Sequence, residues 1–526
     1  MTFHRVRPFV TPRLDALEPR FLFAAIEFEP VQKYPTGIPP GAAHVAAGDF
    51  NRDGVQDLLA AGDETTVTPV EQHTVRVLPG LGGGRFGTPG RRQMVGTAVS
   101  GVAVADFNRD GRLDVAVSNN TRRGTVQVLL GNGDGSFQPG TSYYSGSFST
   151  GVAAADFDRD GDVDLMVSNK GWWTSPEDSL RPAAHGAAFL PNNGDGTFGP
   201  EDQVMGMGPT DFVEAGDVNN DRVPDAVFGH VNISFGDLIS PESGVIPVMS
   251  GGDGTFRVGP RETVGGEITG MAVGDVNGDG RLDVALALSF SFMESARAHV
   301  LEGDGIGNFH DGPRAALGQP VSADVVIVDL DGDGRRDVAA GAYNPASAAP
   351  VDVGTVVALP NRGGVFGEPT VAHLQAWPAG MAAGLFNDDR LPDLAVALPR
   401  HGQVGVLINN TPSITASGTV VTATAGTPLV NRPVARFRIT GSSPDAPANP
   451  IDDDPVFVTR VYWGDGTRSE GRVVRNDDGS FSVLGSHTYR RPGVYRILVV
   501  IAWPDGGVQK LAVSRAVVRA PLVRTT

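Results

Sequence analysis

The sequence predicts an all-β fold, a seven-bladed β-propeller of four-stranded blades followed by an immunoglobulin-like β-sandwich. Three observations lead to this prediction: an acidic loop that recurs seven times, a glycine-rich turn ending in Phe that recurs between the loops, and short alternating apolar runs around both. Glycine (70) and proline (39) are abundant among the 526 residues, as is typical where many short strands meet at tight turns. A helical solenoid would instead need two amphipathic helices per repeat, a pattern not found in these repeats.

The acidic loop follows the pattern D-x-[ND]-x-D-G-x-x-D, whose positions are numbered 1 to 9. Five copies are complete; the fourth copy has Arg at position 6, and the seventh has Arg there and Leu at position 1. Successive copies start 57, 50, 61, 58, 54 and 56 residues apart, a period that suits propeller blades. The copies, called the first to seventh acidic loops, span residues 49–57, 106–114, 156–164, 217–225, 275–283, 329–337 and 385–393.

The second landmark is the Phe turn, which ends at Phe86, Phe137, Phe198, Phe256, Phe309 and Phe366. Each Phe lies 19 or 20 residues before the next acidic loop, whereas the distance from a loop to the following Phe varies from 31 to 42. Insertions therefore fall in one half of the repeat. The seventh repeat lacks its Phe turn, and Phe28 near the N-terminus has a similar sequence context. We expect a strand around residues 26–34 to complete the last blade, which closes a domain over residues 26–410.

The acidic loops are predicted to bind calcium. Ca²⁺ takes six to eight oxygen ligands, which side chains at positions 1, 3, 5 and 9 and the carbonyl at position 7 can supply; Mg²⁺ fits less well because it resists dehydration. A single copy reads equally well as a solvated turn, but seven copies at one period favour calcium. We expect the five complete loops and the fourth loop to hold Ca²⁺, and the seventh to be weak or empty. The expected ligands are Asp49, Asn51, Asp53, Val55, Asp57, Asp106, Asn108, Asp110, Arg112, Asp114, Asp156, Asp158, Asp160, Asp162, Asp164, Asp217, Asn219, Asp221, Val223, Asp225, Asp275, Asn277, Asp279, Arg281, Asp283, Asp329, Asp331, Asp333, Arg335 and Asp337.

The acidic loop combined with the Phe turn resembles the FG-GAP and VCBS repeats, of which the integrin α-subunit propeller is the best-known example. The resemblance covers residues 26–410. It implies calcium loops on one face of the propeller and ligand contacts mainly from loops on the other face.

Residues 411–526 are predicted to form a separate β-sandwich. Strands are expected over 419–425, 434–440, 456–463, 471–475, 481–488, 494–501 and 509–518. The segments 462–467 (YWGDGT), 486–489 (SHTY) and 492–495 (PGVY) resemble the PKD-type domain of bacterial surface proteins. The segment 17–23 (LEPRFLF) resembles an N-terminal LEPR-type sorting segment, so residues 1–25 are expected to be a disordered leader of a secreted or cell-surface bacterial protein.

Charge and composition exclude several classes of protein. Most of the formal charge of −18 is explained by the acidic loops, because six divalent cations would reduce it to −6, and the acidity argues against nucleic-acid binding. The lack of cysteine excludes disulfides and thiolate sites, and no apolar run is long enough for a transmembrane segment. We expect a monomer.

The function predicted from the sequence is binding rather than catalysis. The motifs H-E-x-x-H, G-x-S-x-G and G-x-x-x-x-G-K are absent, so no catalytic residue is assigned. Aromatic residues in the variable half of the repeats are candidate contacts to a glycan or protein ligand: Trp172, Trp173, Phe235, Phe292 and Tyr343. The expectation is a calcium-binding surface module for adhesion or ligand recognition. The alternative is a polysaccharide hydrolase or lyase that uses the same face.

Overall fold

The computed structural model contains two compact units, Ile26–Asn409 and a second unit within Asn410–Thr526. Regular structure in the described residues is β-strand, apart from one short 3-10 turn at Pro399–His401. The all-β prediction is therefore confirmed. The residues described are 26–38, 41–64, 72–171, 186–204, 207–231, 243–290, 295–345, 354–411, 413–440, 457–502 and 509–521.

The described part of the first unit contains seven antiparallel sheets built on four strands each, with one additional short strand in the fourth sheet. In sheets I to VI the four strands follow one another in chain order. The strands are Ala42–Gly48, Asp57–Glu64, Gln72–Leu78 and Gln93–Val95 (sheet I); Val99–Ala105, Asp114–Asn119, Gly124–Leu129 and Thr141–Gly146 (II); Ser149–Ala155, Asp164–Asn169, Gly186–Leu190 and Asp202–Val204 (III); Phe212–Gly216, Asp225–His230, Ser243–Ser250, Phe256–Val258 and Glu262–Val264 (IV); Glu267–Gly274, Asp283–Ser289, Arg297–Gly303 and Phe309–Ala316 (V); Val321–Val328, Asp337–Tyr343, Gly354–Leu359 and Thr370–His373 (VI); Met381–Gly384, Asp393–Leu398, Gln403–Leu407 and Gln32–Pro35 (VII).

The sheets follow one another in a closed cycle. The first strand of each sheet contacts the first strand of the next, and the first strand of sheet VII contacts that of sheet I. Seven hydrophobic clusters fill the spaces between consecutive sheets. The second strand Asp114–Asn119 illustrates why: Val115 and Val117 belong to the cluster shared with sheet I, and Ala116 to the one shared with sheet III. Strands buried on both faces have continuous apolar runs, as this sequence does.

The N-terminal strand supplies the fourth strand of sheet VII. Gln32–Pro35 pairs antiparallel with Gln403–Leu407, with Gln32 opposite Val406. Phe28 forms an isolated bridge with Asn409, and Phe86 and Phe137 form the same bridge in sheets I and II. The two ends of the first unit are therefore joined within one sheet.

The described residues of the second unit form nine strands in two sheets around one hydrophobic core. Trp463 and Tyr489 are fully buried there, and the Tyr489 hydroxyl donates to the Trp463 carbonyl at 3.1 Å. The sequence analysis predicts seven strands; it missed Ser413–Gly418 and Arg468–Glu470, which have little apolar alternation. The strands are Ser413–Gly418, Leu429–Thr440, Phe481–His487 and Arg472–Arg475 in one sheet, and Val420–Thr424, Gln509–Arg519, Gly493–Ala502, Val458–Tyr462 and Arg468–Glu470 in the other.

Candidate metal centres in the acidic loops

In sheets I to VI the acidic loop and the Phe turn lie at the same end of the sheet. The acidic loop connects the first strand to the second, and in sheets I to VI the Phe turn connects the third to the fourth. Because neighbouring strands are antiparallel, the first and third connections of a four-stranded meander share one end. The two sequence landmarks, separated by 31 to 42 residues in the chain, are thus neighbours in space.

The aspartate at position 9 joins these two connections. In the second loop, Asp114 accepts a hydrogen bond from the Phe107 amide on Oδ2 (2.8 Å) and one from the Gly131 amide on Oδ1 (2.7 Å). Its side chain is fully buried. The same pair of bonds, from the amide at position 2 and from the amide at the start of the Phe turn or its equivalent, is made by Asp57, Asp114, Asp164, Asp225, Asp283, Asp337 and Asp393.

Burial raises the pKa of these aspartates, because the charged carboxylate loses hydration. The pKa of Asp114 rises to about 6, that of Asp164 to about 7 and that of Asp337 to about 8. Neighbouring acids of the same loop raise the pKa further, whereas the two backbone amides lower it. A divalent cation in the loop would favour the charged form of each of these groups.

The side chains at positions 1, 3 and 5 accept hydrogen bonds from backbone amides of the same loop. In the first loop the Gly54 amide donates to Asp49 Oδ2 (3.0 Å), and the Asp53 amide donates to Asn51 Oδ1 (2.9 Å). Position 6 needs the left-handed backbone region, and Gly54 has φ of 84°. Arg222 and Arg390 replace this glycine in the fourth and seventh loops and keep φ at 70° and 69°, so these loops retain the turn at a cost of about 1 kcal/mol.

Two of the loops bring three carboxylates together. Asp156, Asp158 and Asp164 of the third loop have oxygen atoms within 4.8 Å of one another, and the same is true of three acids in the sixth loop. These are the two loops that have Asp rather than Asn at position 3. In the third loop the Oδ1 atom of Asp156 is buried and has no hydrogen-bond partner. An all-oxygen donor set with an unsatisfied buried oxygen fits a hard divalent cation.

At position 7, where the carbonyl is the expected ligand, several side chains make ion pairs. Arg112 pairs with Asp110 at 3.2 Å and Arg281 with Asp279 at 3.7 Å, in each case from position 7 to position 5. In the third loop position 7 is Asp162, which pairs at 2.8 Å with Arg109 of the second loop. The sequence analysis assigned position 7 only a carbonyl and so missed these side-chain contacts.

The opposite end of the sheets surrounds an axial cavity of about 930 Å³, lined by the beginnings of the first strands of all seven sheets. Of the predicted ligand contacts, Tyr343 lines this cavity and stacks on Trp377 at 4.7 Å between ring centroids. The Arg400 guanidinium also lies over the Trp377 ring. The other candidates, Trp172, Trp173, Phe235 and Phe292, lie outside the described residues.

The axial cavity contains acidic groups that the sequence analysis did not single out. Burial raises the pKa of Glu214 to about 8, with a smaller contribution from the negative charge of Asp324. Burial also raises the pKa of Asp324 to about 6, although this carboxylate accepts hydrogen bonds from the Val325 and Met381 amides. Their positions in the first strands give no acidic motif, so spacing alone could not reveal them.

Comparison with known proteins gives a match to a repeat-family model over part of the chain and similarities to solved structures. A family model for the FG-GAP-like repeat matches residues 106–167, which run from the second acidic loop into the second strand of sheet III. No curated protein gave a significant match. Among solved structures the chain is similar to the Dos1 propeller, with 11% sequence identity, a TM-score of 0.39, and coverage of 72% of this chain and 95% of that one. In the described part of the chain, no helix has the length and apolar character needed to cross a membrane. The family match and the four-stranded sheets identify an FG-GAP-like repeat within the first unit.

Proposed function

We propose that the first unit is a seven-bladed, calcium-binding propeller that recognises a glycan or protein ligand at the bacterial cell surface or after secretion. The acidic loops occupy one end of the sheets, and the axial cavity occupies the other. Bound calcium stabilises the first unit. The end of the sheets that surrounds the axial cavity binds the ligand and does not catalyse a reaction. The second unit is a PKD-type spacer or adhesive domain.

The main support for calcium binding comes from the geometry of the third acidic loop. Asp156, Asp158 and Asp164 gather three carboxylates within 4.8 Å, and the buried Asp156 Oδ1 is unsatisfied. Like charges held this close destabilise the fold unless a cation offsets them. These residues would hold the ion, which would supply the positive charge that the loop lacks. Asp164, at position 9, also accepts a hydrogen bond from the Asn192 amide and so connects the loop to the Phe turn.

Calorimetry of the full chain with calcium and with EDTA tests this proposal. A site that binds only the folded state contributes about 2.7 kcal/mol at a ligand concentration one hundred times Kd. We expect EDTA to lower the unfolding temperature of the first unit and to leave the transition of the second unit unchanged.

A double variant shows whether the third loop is responsible. Asp156→Asn with Asp158→Asn should bind one calcium ion fewer per chain and respond less to EDTA. Asp477→Asn, an exposed charge loss in the second unit, is the matched control and should behave as the parent chain. Overlapping unfolding curves with calcium and EDTA, or fewer than about two bound ions per chain, would contradict the proposal.

Glycan-array binding measured with product analysis tests ligand recognition. Retention of a glycan without release of shorter products supports a binding module, whereas depolymerisation supports the alternative of a polysaccharide hydrolase or lyase. The change of Trp172 and Trp173 to Ala should abolish binding and leave the unfolding temperature unchanged, if these side chains contact the ligand.

A further inference from the structure

We propose that Arg362 acts as a built-in cation in the sixth acidic loop and competes there with calcium. The Arg362 Nη1 atom lies 2.5 Å from Asp331 Oδ2 and 3.6 Å from Asp333 Oδ2. Asp331 and Asp333 are at positions 3 and 5, two of the expected metal ligands. This inference rests on the proposed calcium function and adds that the loops differ in their need for the ion.

The distances place the guanidinium where a metal ion would bind. Calcium ligands lie about 2.3–2.6 Å from the ion, so an Nη1 atom at 2.5 Å from Asp331 Oδ2 fills that oxygen's coordination position. Asp331 is only 3% exposed and cannot turn toward water to release the arginine. Arg362 itself is 18% exposed, so the pair is shielded from solvent and little screened by salt. Calcium must displace Arg362 before it can use this ligand.

The arginine comes from the Phe turn, not from the acidic loop. Arg362 follows Asn361, whose backbone amide donates to Asp337 Oδ1. This hydrogen bond joins the Phe turn to the sixth acidic loop and keeps Arg362 beside the acids of that loop. The residue at this place in sheets II and III is Asn132 and Asn193. In the described part of the third loop, neither Asp158 nor Asp160 has an ion pair with an arginine, although the sequence of that loop is as complete as the sixth.

The sixth loop is therefore expected to fold without calcium and to bind it weakly, whereas the third loop depends on it. Arg362→Asn tests this, because two other sheets have Asn at the same place and tolerate it. In EDTA the variant should unfold at a lower temperature than the parent chain, since Asp331 and Asp333 lose the positive charge of Arg362. In saturating calcium this deficit should shrink or reverse. Calcium titration should show one site at least tenfold tighter than in the parent chain.

Arg314→Asn is the matched control. Arg314 forms an ion pair with Asp311 in the fourth strand of sheet V, outside the acidic loops, and its side chain is 50% exposed. It should change calcium affinity less than threefold. Equal effects of the two substitutions, or an unchanged calcium titration in Arg362→Asn, would overturn the inference. If the parent chain binds no calcium, the proposed function fails; a single new site in Arg362→Asn would still support the role of Arg362, and no site in either chain would overturn it.

Discussion

The position-9 aspartate is the residue on which the two repeated landmarks depend. Sequence spacing predicts it as a metal ligand, and the structure gives both of its oxygens a backbone amide. This explains the seventh loop, where Leu385 replaces the first acid and Asp393 is nevertheless present and fully buried. The sequence could not separate the two roles, because a ligand and a structural acceptor require the same residue type at the same place.

Asp393→Asn should therefore destabilise the first unit even without calcium. Asp393 accepts from the Phe386 amide at 2.9 Å and the Asn409 amide at 2.7 Å, and Asn has only one acceptor oxygen for these two donors. The expected loss in the free energy of unfolding is about 3 kcal/mol. Urea unfolding in EDTA measures it.

Asp389→Asn in the same loop is the control for this experiment. Asp389 accepts from the Leu391 amide on Oδ1 and from the Asn387 side-chain amide on Oδ2. Asn keeps the first acceptor, and the partly exposed Asn387 amide can bond to water instead, so the expected loss is below about 1 kcal/mol. Equal losses in the free energy of unfolding would show that the hydrogen bonds of Asp393 contribute no more to stability than those of Asp389.

The strand that completes sheet VII is predicted from fewer residues than any other strand of the first unit. A single Phe28 with its neighbours suggests it, because the seventh repeat lacks its own Phe turn. The strand is Gln32–Pro35, paired with Gln403–Leu407. Other elements gave weaker signals: Ser413–Gly418 has one buried Ile414 and otherwise polar or small residues, so pairing rather than hydrophobic pattern decides its conformation.

Deletion of residues 1–36 should expose the edge of Gln403–Leu407, whose Val404 and Val406 are fully buried in the intact chain. We expect aggregation on size-exclusion chromatography or a large loss of stability. Deletion of residues 1–25 removes only the segment before the first described residue and is the control. A soluble 1–36 deletion that melts like the control would contradict closure by this strand.

For the whole first unit, the sequence repeat predicts the arrangement of the sheets but not the single residues that differ from the repeat. Three residues before each acidic loop, the first strands have Ala in five sheets, Val326 in sheet VI and Glu214 in sheet IV. Glu214 thus places a carboxyl group in the axial cavity at a position that is otherwise apolar. Periodicity could predict neither this cavity group nor Arg362, because each is a single exception whose meaning depends on residues far away in the chain.

Glu214 should make the first unit less stable at alkaline pH. Its pKa is about 8 in the folded protein, above the usual value of 4.5, so the folded state binds more protons between these values and stability falls as pH rises through 8. Glu214→Gln removes the titrating group. The free energy of unfolding of the variant should be higher than that of the parent chain by on the order of 2 kcal/mol at pH 9, with little difference at pH 4. Unfolding of both chains across this pH range measures it. A difference independent of pH would show that the carboxyl group does not titrate as described.

An anomalous difference map from crystals grown with calcium shows whether the acidic loops bind the ion. We expect a peak in the third loop, about 2.3–2.6 Å from carboxylate oxygens of Asp156, Asp158 and Asp164. Beside Arg362 in the sixth loop we expect a weaker peak or none. A map without a peak in the third loop at millimolar calcium would show that this loop does not bind calcium.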